Sequence, residues 1–374
     1  MLPFLQGSFG NPSGQHAAAR VAKTAVEEAR EQVAAALGAK PSEIVFTGGG
    51  TEADNLALKG AARSARDRGL GDGVVTTAVE HHAVLHSCDR LGRDGFRVAR
   101  VGVDHDGVVD LEALAAALDD RTTIVSVMLA NNEVGTVQPL AAVAAVVAER
   151  SPRAVLHTDA VQAAAWLDVA TEAADAALVA VSAHKFGGPK GVGALVVRTG
   201  ARLVPVIDGG GQERDLRSGT HNVAGIVGMA AALTATVARR AEEAPRVAAL
   251  RDRLAGGIVA GLPDGAVRLN GDPPGKLVNN CHLAFPGVEA EALLLLLDRD
   301  GVCASAGSSC ASGALEPSHV LSAMGLPLDL ARSSVRLTVG WPTTGAEVDE
   351  AVAVIIAGVE RLTRRVAARI PQGG

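Results

Sequence analysis

Three short segments carry residue types that could do covalent chemistry on a small molecule. Ser182-Ala183-His184-Lys185-Phe186-Gly187-Gly188-Pro189-Lys190-Gly191 is glycine-rich and follows an apolar, β-type run. A lysine just past a buried strand, beside His and Ser, suits a Schiff base, because its amine must be partly desolvated to lose its proton and must lie within reach of an aldehyde. Leu156-His157-Thr158-Asp159-Ala160-Val161-Gln162 ends another such run with an acid at its carboxyl end. Thr47-Gly48-Gly49-Gly50-Thr51-Glu52 lies between a strand and a helix and offers backbone amides and hydroxyls to a phosphate. Its spacing is neither Walker A nor GxGxxG, so a mononucleotide site is not supported. Amine, acid and phosphate cup together match pyridoxal phosphate (PLP), whose ring nitrogen needs a carboxylate to stay protonated and absorb a carbanion's electrons. Each segment also has a plainer reading: a surface lysine in a turn, an Asp capping a helix, a Gly-rich turn.

The elements around these segments alternate. Strands are expected at Glu43–Thr47, Gly73–Ala78, Arg97–Val103, Thr122–Leu129, Val155–Thr158, Ala177–Ser182 and Gly193–Val197. Helical patterns lie between them, for example at Ala17–Leu37, Thr51–Arg68, Leu111–Leu118 and Leu140–Glu149. Apolar strands alternating with helices imply βαβ units and a mostly parallel sheet covered on both faces. Ligands of such sheets sit beyond the carboxyl ends of the strands, where the three segments fall. After Gly225 an Ala-rich helical pattern reaches about Leu262, broken only by Pro245; candidate strands at Leu277–Phe285 and Ser334–Thr338 follow. The expected division is a large domain over 1–240 and a small α+β domain over 241–374, with residues 1–14 packing on the small one.

The chain has 374 residues, 48% hydrophobic and 20% charged, which is the balance of a globular protein of two domains. Its net charge of −6 argues against a broad nucleic-acid or anionic-membrane surface. The apolar run Leu293 to Leu297 is too short to cross a bilayer, and Met1–Gly10 lacks the pattern of a signal peptide. Four cysteines do not make a disulfide framework in so long a chain, so a cytoplasmic setting with working thiols is expected.

Further motifs run through the chain in order: Phe9-Gly10-Asn11-Pro12-Ser13, Asp54-Asn55-Leu56-Ala57, Glu80-His81-His82-Ala83-Val84, Asn131-Asn132-Glu133-Val134-Gly135, Arg217-Ser218-Gly219-Thr220 and Arg336-Leu337-Thr338-Val339-Gly340. With the three segments above they make the sequence resemble the cysteine desulfurases, the NifS/IscS-like branch of the class-V aminotransferases among fold type I PLP enzymes. The resemblance covers nearly the whole chain. It implies a seven-stranded, mostly parallel sheet flanked by helices, a smaller C-terminal α+β domain, and a homodimer with a shared active site. It also implies that Lys185 holds PLP covalently, Asp159 pairs with the ring nitrogen, Gln162 bonds the ring hydroxyl and His81 stacks on the ring. Gly50, Thr51, Ser182 and His184 would hold the phosphate, helped by Thr220 from the partner subunit. Asn11, Asn132 and Arg336 would position the carboxylate of L-cysteine, with Asn132 also close to the cofactor and Arg336 suited to a bidentate grip. No metal is implied.

Cys310 lies in Ser305-Ala306-Gly307-Ser308-Ser309-Cys310-Ala311-Ser312-Gly313, a polar stretch without the periodicity of a core element, ahead of Leu315-Glu316-Pro317-Ser318. In the family the matching cysteine takes sulfur as a persulfide and passes it to an acceptor, an iron–sulfur scaffold or a tRNA-thiolating enzyme. Cys303, Cys88 and Cys281 are expected to be packed thiols. The sequence departs from the family at Gly50 and Ser309, where Ala is usual, and at Ala183, where Gly is usual. The family's Ala-Thr-Thr segment upstream of Phe9 is missing, which implies either an earlier start or an absent part of the pocket. Rival readings are a selenocysteine lyase or other C–S lyase, an aminotransferase, a non-catalytic sulfur-assembly scaffold, and a metal site built on the i, i+4 pair His82 and His86 with Cys88 nearby.

Overall fold

The computed structural model describes residues 1–271, 275–306 and 317–369. Tertiary contacts divide the chain into two units. The first holds Met1–Gly102, Val109–Ala130 and Gln138–Arg240; the second holds Val103–Val108, Asn131–Val137 and Ala241–Gly374. Two short segments inside the expected 1–240 stretch therefore belong with the C-terminal residues. Residues 1–14, expected on the small domain, group with the first unit, where the backbone of Gly10 packs against that of Ala18.

The first unit is a seven-stranded sheet. Its strands are β1 (Ile44–Thr47), β2 (Gly73–Thr77), β3 (Arg97–Val101), β4 (Thr122–Ser126), β5 (Val155–Asp159), β6 (Leu178–Ser182) and β7 (Gly193–Val197), in the order β1-β7-β6-β5-β4-β2-β3. Only β7 runs antiparallel to its neighbours; the other pairings are parallel. Helices α1 (Leu2–Gln6) and α2 (Ala17–Ala36) precede β1, and α3 (Gly50–Asp67), α4 (His82–Arg93), α5 (Leu111–Ala117), α6 (Leu140–Arg150) and α7 (Val169–Glu172) lie between successive strands from β1 to β6. Strands β1, β2, β4 and β6 are buried at every residue, the pattern of a sheet covered on both faces.

Helix α3 supplies one cover. Ala53, Leu56, Ala57 and Ala61 pack with Val45, Val74, Ile124, Leu178 and Leu195 of the sheet. Small alanines bring the helix close to the strands, so the first turn of α3 lies low over their carboxyl ends. Gly60 is needed here, since a Cβ on it would stand 2.8 Å from the carbonyl oxygen of Val204.

Helix α8 (Val223–Gly261) continues through Pro245, where the sequence pattern predicts a break. Proline removes one donor and often kinks a helix, but here it does not end it. This helix also carries a longer apolar stretch than Leu293–Leu297: an 18-residue window has mean hydropathy 1.2, and 44% of that window is buried inside the protein. Ile226, Met229 and Leu233 are among its buried residues.

The second unit is built on an antiparallel sheet of β8 (Arg268–Leu269), β9 (Asn280–Ala284), β10 (Ser305–Ala306) and β11 (Ser334–Thr338), in the order β10-β11-β9-β8. Its further helices are α9 (Ala290–Arg299), α10 (His319–Ala323), α11 (Leu328–Arg332) and α12 (Gly345–Arg369).

Candidate active site

In the first unit the polar residues gather where β1, β2, β5 and β6 end. Side chains alternate along a strand, so Val155, His157 and Asp159 of β5 share a face, as do Leu178, Ala180 and Ser182 of β6. On the α3 side this face is apolar at its amino end and polar at its carboxyl end. Gly49, with φ +142°, turns the chain from β1 into α3 without a side-chain cap. Gly193 makes room for that turn, because a Cβ on it would stand 2.8 Å from Gly49 Cα. The amide groups that open α3 thus face the neighbourhood of Ser182, whose Oγ lies 2.9 Å from His184 Nδ1. A helix start whose amides lack a side-chain acceptor, set beside two hydroxyls and an imidazole, fits a phosphate.

The loop that carries Thr220 is tied to the same helix start. Arg217 Nε donates to Glu52 Oε1 at 2.7 Å, within the first turn of α3. Glu213, Arg214 and Asp215 just before it hold positive φ angles of 50°, 58° and 61°, a strained run for residues with side chains. Buried contacts hold it: Glu213 accepts from Arg30 Nη2 at 2.7 Å and Nη1 at 2.8 Å, from Phe46 N at 2.8 Å, and lies 2.6 Å from His221 Nε2. Burial alone would raise the Glu213 pKa, but the hydrogen bonds from Arg30 and His221 and the charge of Arg30 bring it down to about 2.

Asp159 is 5% exposed and accepts from Val161 N at 2.9 Å. Burial first, and the charge of Asp54 second, push its pKa up to about 7, against the pull of Val161 N–H, His157 and Lys185. Two more acids share this layer. Asp54, on α3, is raised to about 8 by burial. Glu80 is raised well above the usual range by burial, although Met128 N and Thr77 Oγ1 each donate to it at 2.8 Å. A protonated pyridine nitrogen is the cation that would let Asp159 ionise here, so the residues present fit PLP at this end as well as at the phosphate end.

His81 caps α4, its Nδ1 accepting from Ala83 N at 3.1 Å, which fixes the plane of the ring. Gln162 lies in the turn after β5, half-buried. Lys185 and His184 are exposed in the single chain. The desolvation expected of the Lys185 amine is therefore not supplied by the folded chain alone. Asn11 is exposed, its Oδ1 accepting from Ser13 N at 3.0 Å; Thr220 is exposed as well.

In the second unit Arg336, on β11, donates from Nη1 to the carbonyl of Asn132 at 2.7 Å and from Nη2 to Ser305 Oγ at 3.4 Å. Asn280 Nδ2 donates to the carbonyl of Glu133 at 2.8 Å. The buried Glu133 carboxylate accepts from Ser318 Oγ, and Ser318 also accepts from the amides of Val320 and Leu321 to cap α10. Asn131–Val137 is thus the segment to which both Arg336 and the start of α10 are tied. Cys310 lies outside the described residues. Cys88 and Cys281 are buried, with burial pushing their thiols up to about 12 and about 11. Cys303, expected to be packed, is exposed, on the rim of an apolar cavity of about 90 Å³ lined by Leu254, Leu337 and Ile355. His82 and His86 stack at 5.0 Å between centroids. No group of three or more metal-ligating side chains occurs among the described residues.

The family model for class-V aminotransferases matches residues 1–351. The chain belongs to that family. This class-V aminotransferase is 43% identical over 362 residues to "Cysteine desulfurase IscS" of Dictyoglomus turgidum, covering 97% of this chain and 90% of the relative. It is 46% identical over 365 residues to the "IscS-like cysteine desulfurase" of Mycobacterium tuberculosis, covering 96% and 92%. Among solved structures it is similar to a "NIFS-LIKE PROTEIN", with a TM-score of 0.90, 37% identity and coverage of 96% and 94%. It is also similar to "SspA in complex with cysteine", with a TM-score of 0.77, 32% identity and coverage of 90% and 93%.

Sequence reasoning singled out the chemistry-bearing side chains at the strand ends but gave no role to the layer beneath them. Asp54 and Glu80 stand inside quoted motifs, and His157 stands two residues before Asp159. A charged residue on the apolar face of a helix, as Asp54 is between Ala53 and Ala57, was the signal available.

Proposed function

We propose that this class-V aminotransferase is a PLP-dependent cysteine desulfurase that converts L-cysteine to L-alanine and leaves the sulfur on Cys310. The observation that carries the reading is the buried acid at the end of β5 beside an amide- and hydroxyl-lined cup at the start of α3, in a chain similar over almost its full length to cysteine desulfurases. When bound, PLP supplies an electron sink that stabilises negative charge at the substrate Cα.

The residues divide the rest of the work. Asp159 would hold the proton of the ring nitrogen, His81 would lie against the ring and Gln162 would bond its hydroxyl. Gly50 and Thr51 with Ser182 and His184 would hold the phosphate, helped by Thr220 from a second subunit of a homodimer. Asn11, Asn132 and Arg336 hold the substrate carboxylate, and two parallel N–H bonds from the guanidinium fix its orientation. Lys185 would hold the cofactor in the resting enzyme and, once its amine is free, would take the Cα proton as general base. The Cys310 thiolate attacks substrate Sγ; the S–S bond forms as the C–S bond breaks, and the electron pair of that bond stays with the carbon fragment, which takes up protons to become alanine. The balance is L-cysteine plus Cys310 thiol giving L-alanine plus Cys310 persulfide, with no outside oxidant. A cytoplasmic acceptor protein then takes the sulfur.

The test is incubation with L-cysteine followed by alanine assay and intact-protein mass, for the parent and for Cys310→Ser. Alanine formation with one added sulfur on the parent, and loss of both in the PLP-loaded Cys310→Ser variant, are expected. Alanine at the parent rate from Cys310→Ser would replace the reading with a C–S lyase that works without this thiol.

A further inference from the structure

Beneath Asp159 lies a pair of side chains that the proposed reaction does not use. Asp54 Oδ1 and His157 Nε2 stand 3.5 Å apart, with side chains 2% and 0% exposed. Neither of these two atoms has a hydrogen-bond partner at normal distance. The other ring nitrogen of His157, Nδ1, lies 2.8 Å from Ser126 Oγ on the neighbouring strand β4, so the ring is fixed from one side only. His157 precedes Asp159 by two residues on β5 and therefore shares its face of the sheet.

The charged groups beside this pair are Asp159 on the same strand, coupled to both Asp54 and His157, and Glu80 ahead of α4, coupled to Asp54 and Asp159; Lys185 beyond β6 acts on Asp159 alone. Three carboxyls in one buried layer cannot all be ionised. A cofactor nitrogen offers one positive charge, and Asp159 needs to be its partner. A second negative charge at Asp54 would compete for that proton. An apolar residue at position 54 would remove the competition but leave His157 Nε2 with nothing to bond.

We propose that Asp54 is held as a neutral carboxylic acid directed at His157 Nε2, which reserves the negative charge of this layer for Asp159. The proposal rests on the PLP reading above and makes Asp54 and His157 positioning residues, acting through Asp159. Burial acts in this direction on both groups, raising the acid to about 8 and lowering the imidazole to about 4. At neutral pH the pair then has one acidic proton to share and no net charge. The alternative, an aspartate–imidazolium pair, is also neutral overall, but it places a full negative charge on α3 close to Asp159.

The test is infrared difference spectroscopy of the PLP-loaded protein at pH 7, parent against Asp54→Asn, with cofactor content measured on the same samples. A carboxylic-acid C=O band present in the parent and lost from the variant is expected. Equal cofactor content with no such difference would mean an ionised Asp54 and would overturn the proposal. Should Asp54→Asn not fold, the ¹⁵N resonances of His157 in the parent at pH 7, assigned with His157→Gln, decide the matter: one protonated and one bare ring nitrogen supports the neutral pair, and an imidazolium overturns it. Failure to take up PLP would count against the functional reading alone, because both signals can be read in the protein without cofactor.

Discussion

A carboxylate that pairs with a ring nitrogen is useful only if it is charged, and burial with the charge of Asp54, set against Val161 N–H, His157 and Lys185, leaves Asp159 with a pKa of about 7. Its chemistry therefore depends on what stands against it. Replacing it with Asn keeps the shape and the bond from Val161 N but removes the charge that holds the ring proton. Asp159→Asn is expected to bind PLP and to lose about 10²–10³-fold in kcat, the usual size of a preorganised electrostatic contact. A variant within threefold of the parent, measured by alanine formation, would remove Asp159 from that role. Lys185 is the residue whose surroundings differ most from expectation. Its neighbours in sequence predict a shielded amine, whereas it stands exposed in the single chain. Shielding of an amine is a property of what covers it, which the local sequence cannot show.

At the scale of elements, the strands that present the site were legible because burial on both faces makes β1, β2, β4 and β6 largely apolar runs between helical patterns. The expected strand Val155–Thr158 and the observed Val155–Asp159 differ by one residue. The same holds for the expected helix start at Thr51 and the observed start at Gly50. The two-residue strands β8 and β10 were not legible, since two residues carry no period. Nor was the membership of Asn131–Val137 in the second unit, which depends on long-range bonds such as Asn280 to Glu133.

The Gly50 departure also has a physical reason. A Cβ at this position would meet Val161 Cγ2 at 2.7 Å and Ser182 Cβ at 3.4 Å. A valine at 161 therefore goes with glycine at 50. Gly50→Ala is expected to destabilise by ~1–3 kcal/mol through overpacking and to weaken PLP retention. Adding Val161→Ala should recover most of the loss, a coupling that a double-mutant cycle by denaturant unfolding reads directly. Strict additivity would show that the two side chains do not meet.

For the molecule as a whole, buried ionisable groups give opposing pH dependences. Asp54 has a folded pKa above its unfolded value, so between about 4 and about 8 the folded state binds more protons than the unfolded chain. Stability must then fall as pH rises through that window, by up to ~1.4 kcal/mol per pH unit for a full proton. Asp54→Asn should flatten the decline between pH 6 and 8, and an unchanged slope in urea unfolding would contradict it. Glu213 acts the other way. Its pKa is held at about 2 by Arg30 and His221, so its contribution is complete above the unfolded value near 4.5 and is lost as pH falls through about 2. Removing one partner leaves a buried charge uncompensated, so Arg30→Ala is expected to cost ~3–5 kcal/mol and to loosen the loop that carries Arg217 and Thr220. A loss below ~1 kcal/mol would show that Phe46 N and His221 suffice to hold Glu213.

The central claim, that PLP chemistry at Lys185 cleaves the carbon–sulfur bond of L-cysteine, is tested most directly by one absorbance experiment. The purified protein, supplemented with PLP, is scanned before and after addition of L-cysteine, with alanine assayed in the same tube and Lys185→Ala run alongside. A cofactor band that shifts on addition, with alanine formed by the parent and not by Lys185→Ala, is the expected result. A parent protein that takes up no PLP, or that shows the band and forms no alanine, would contradict the account.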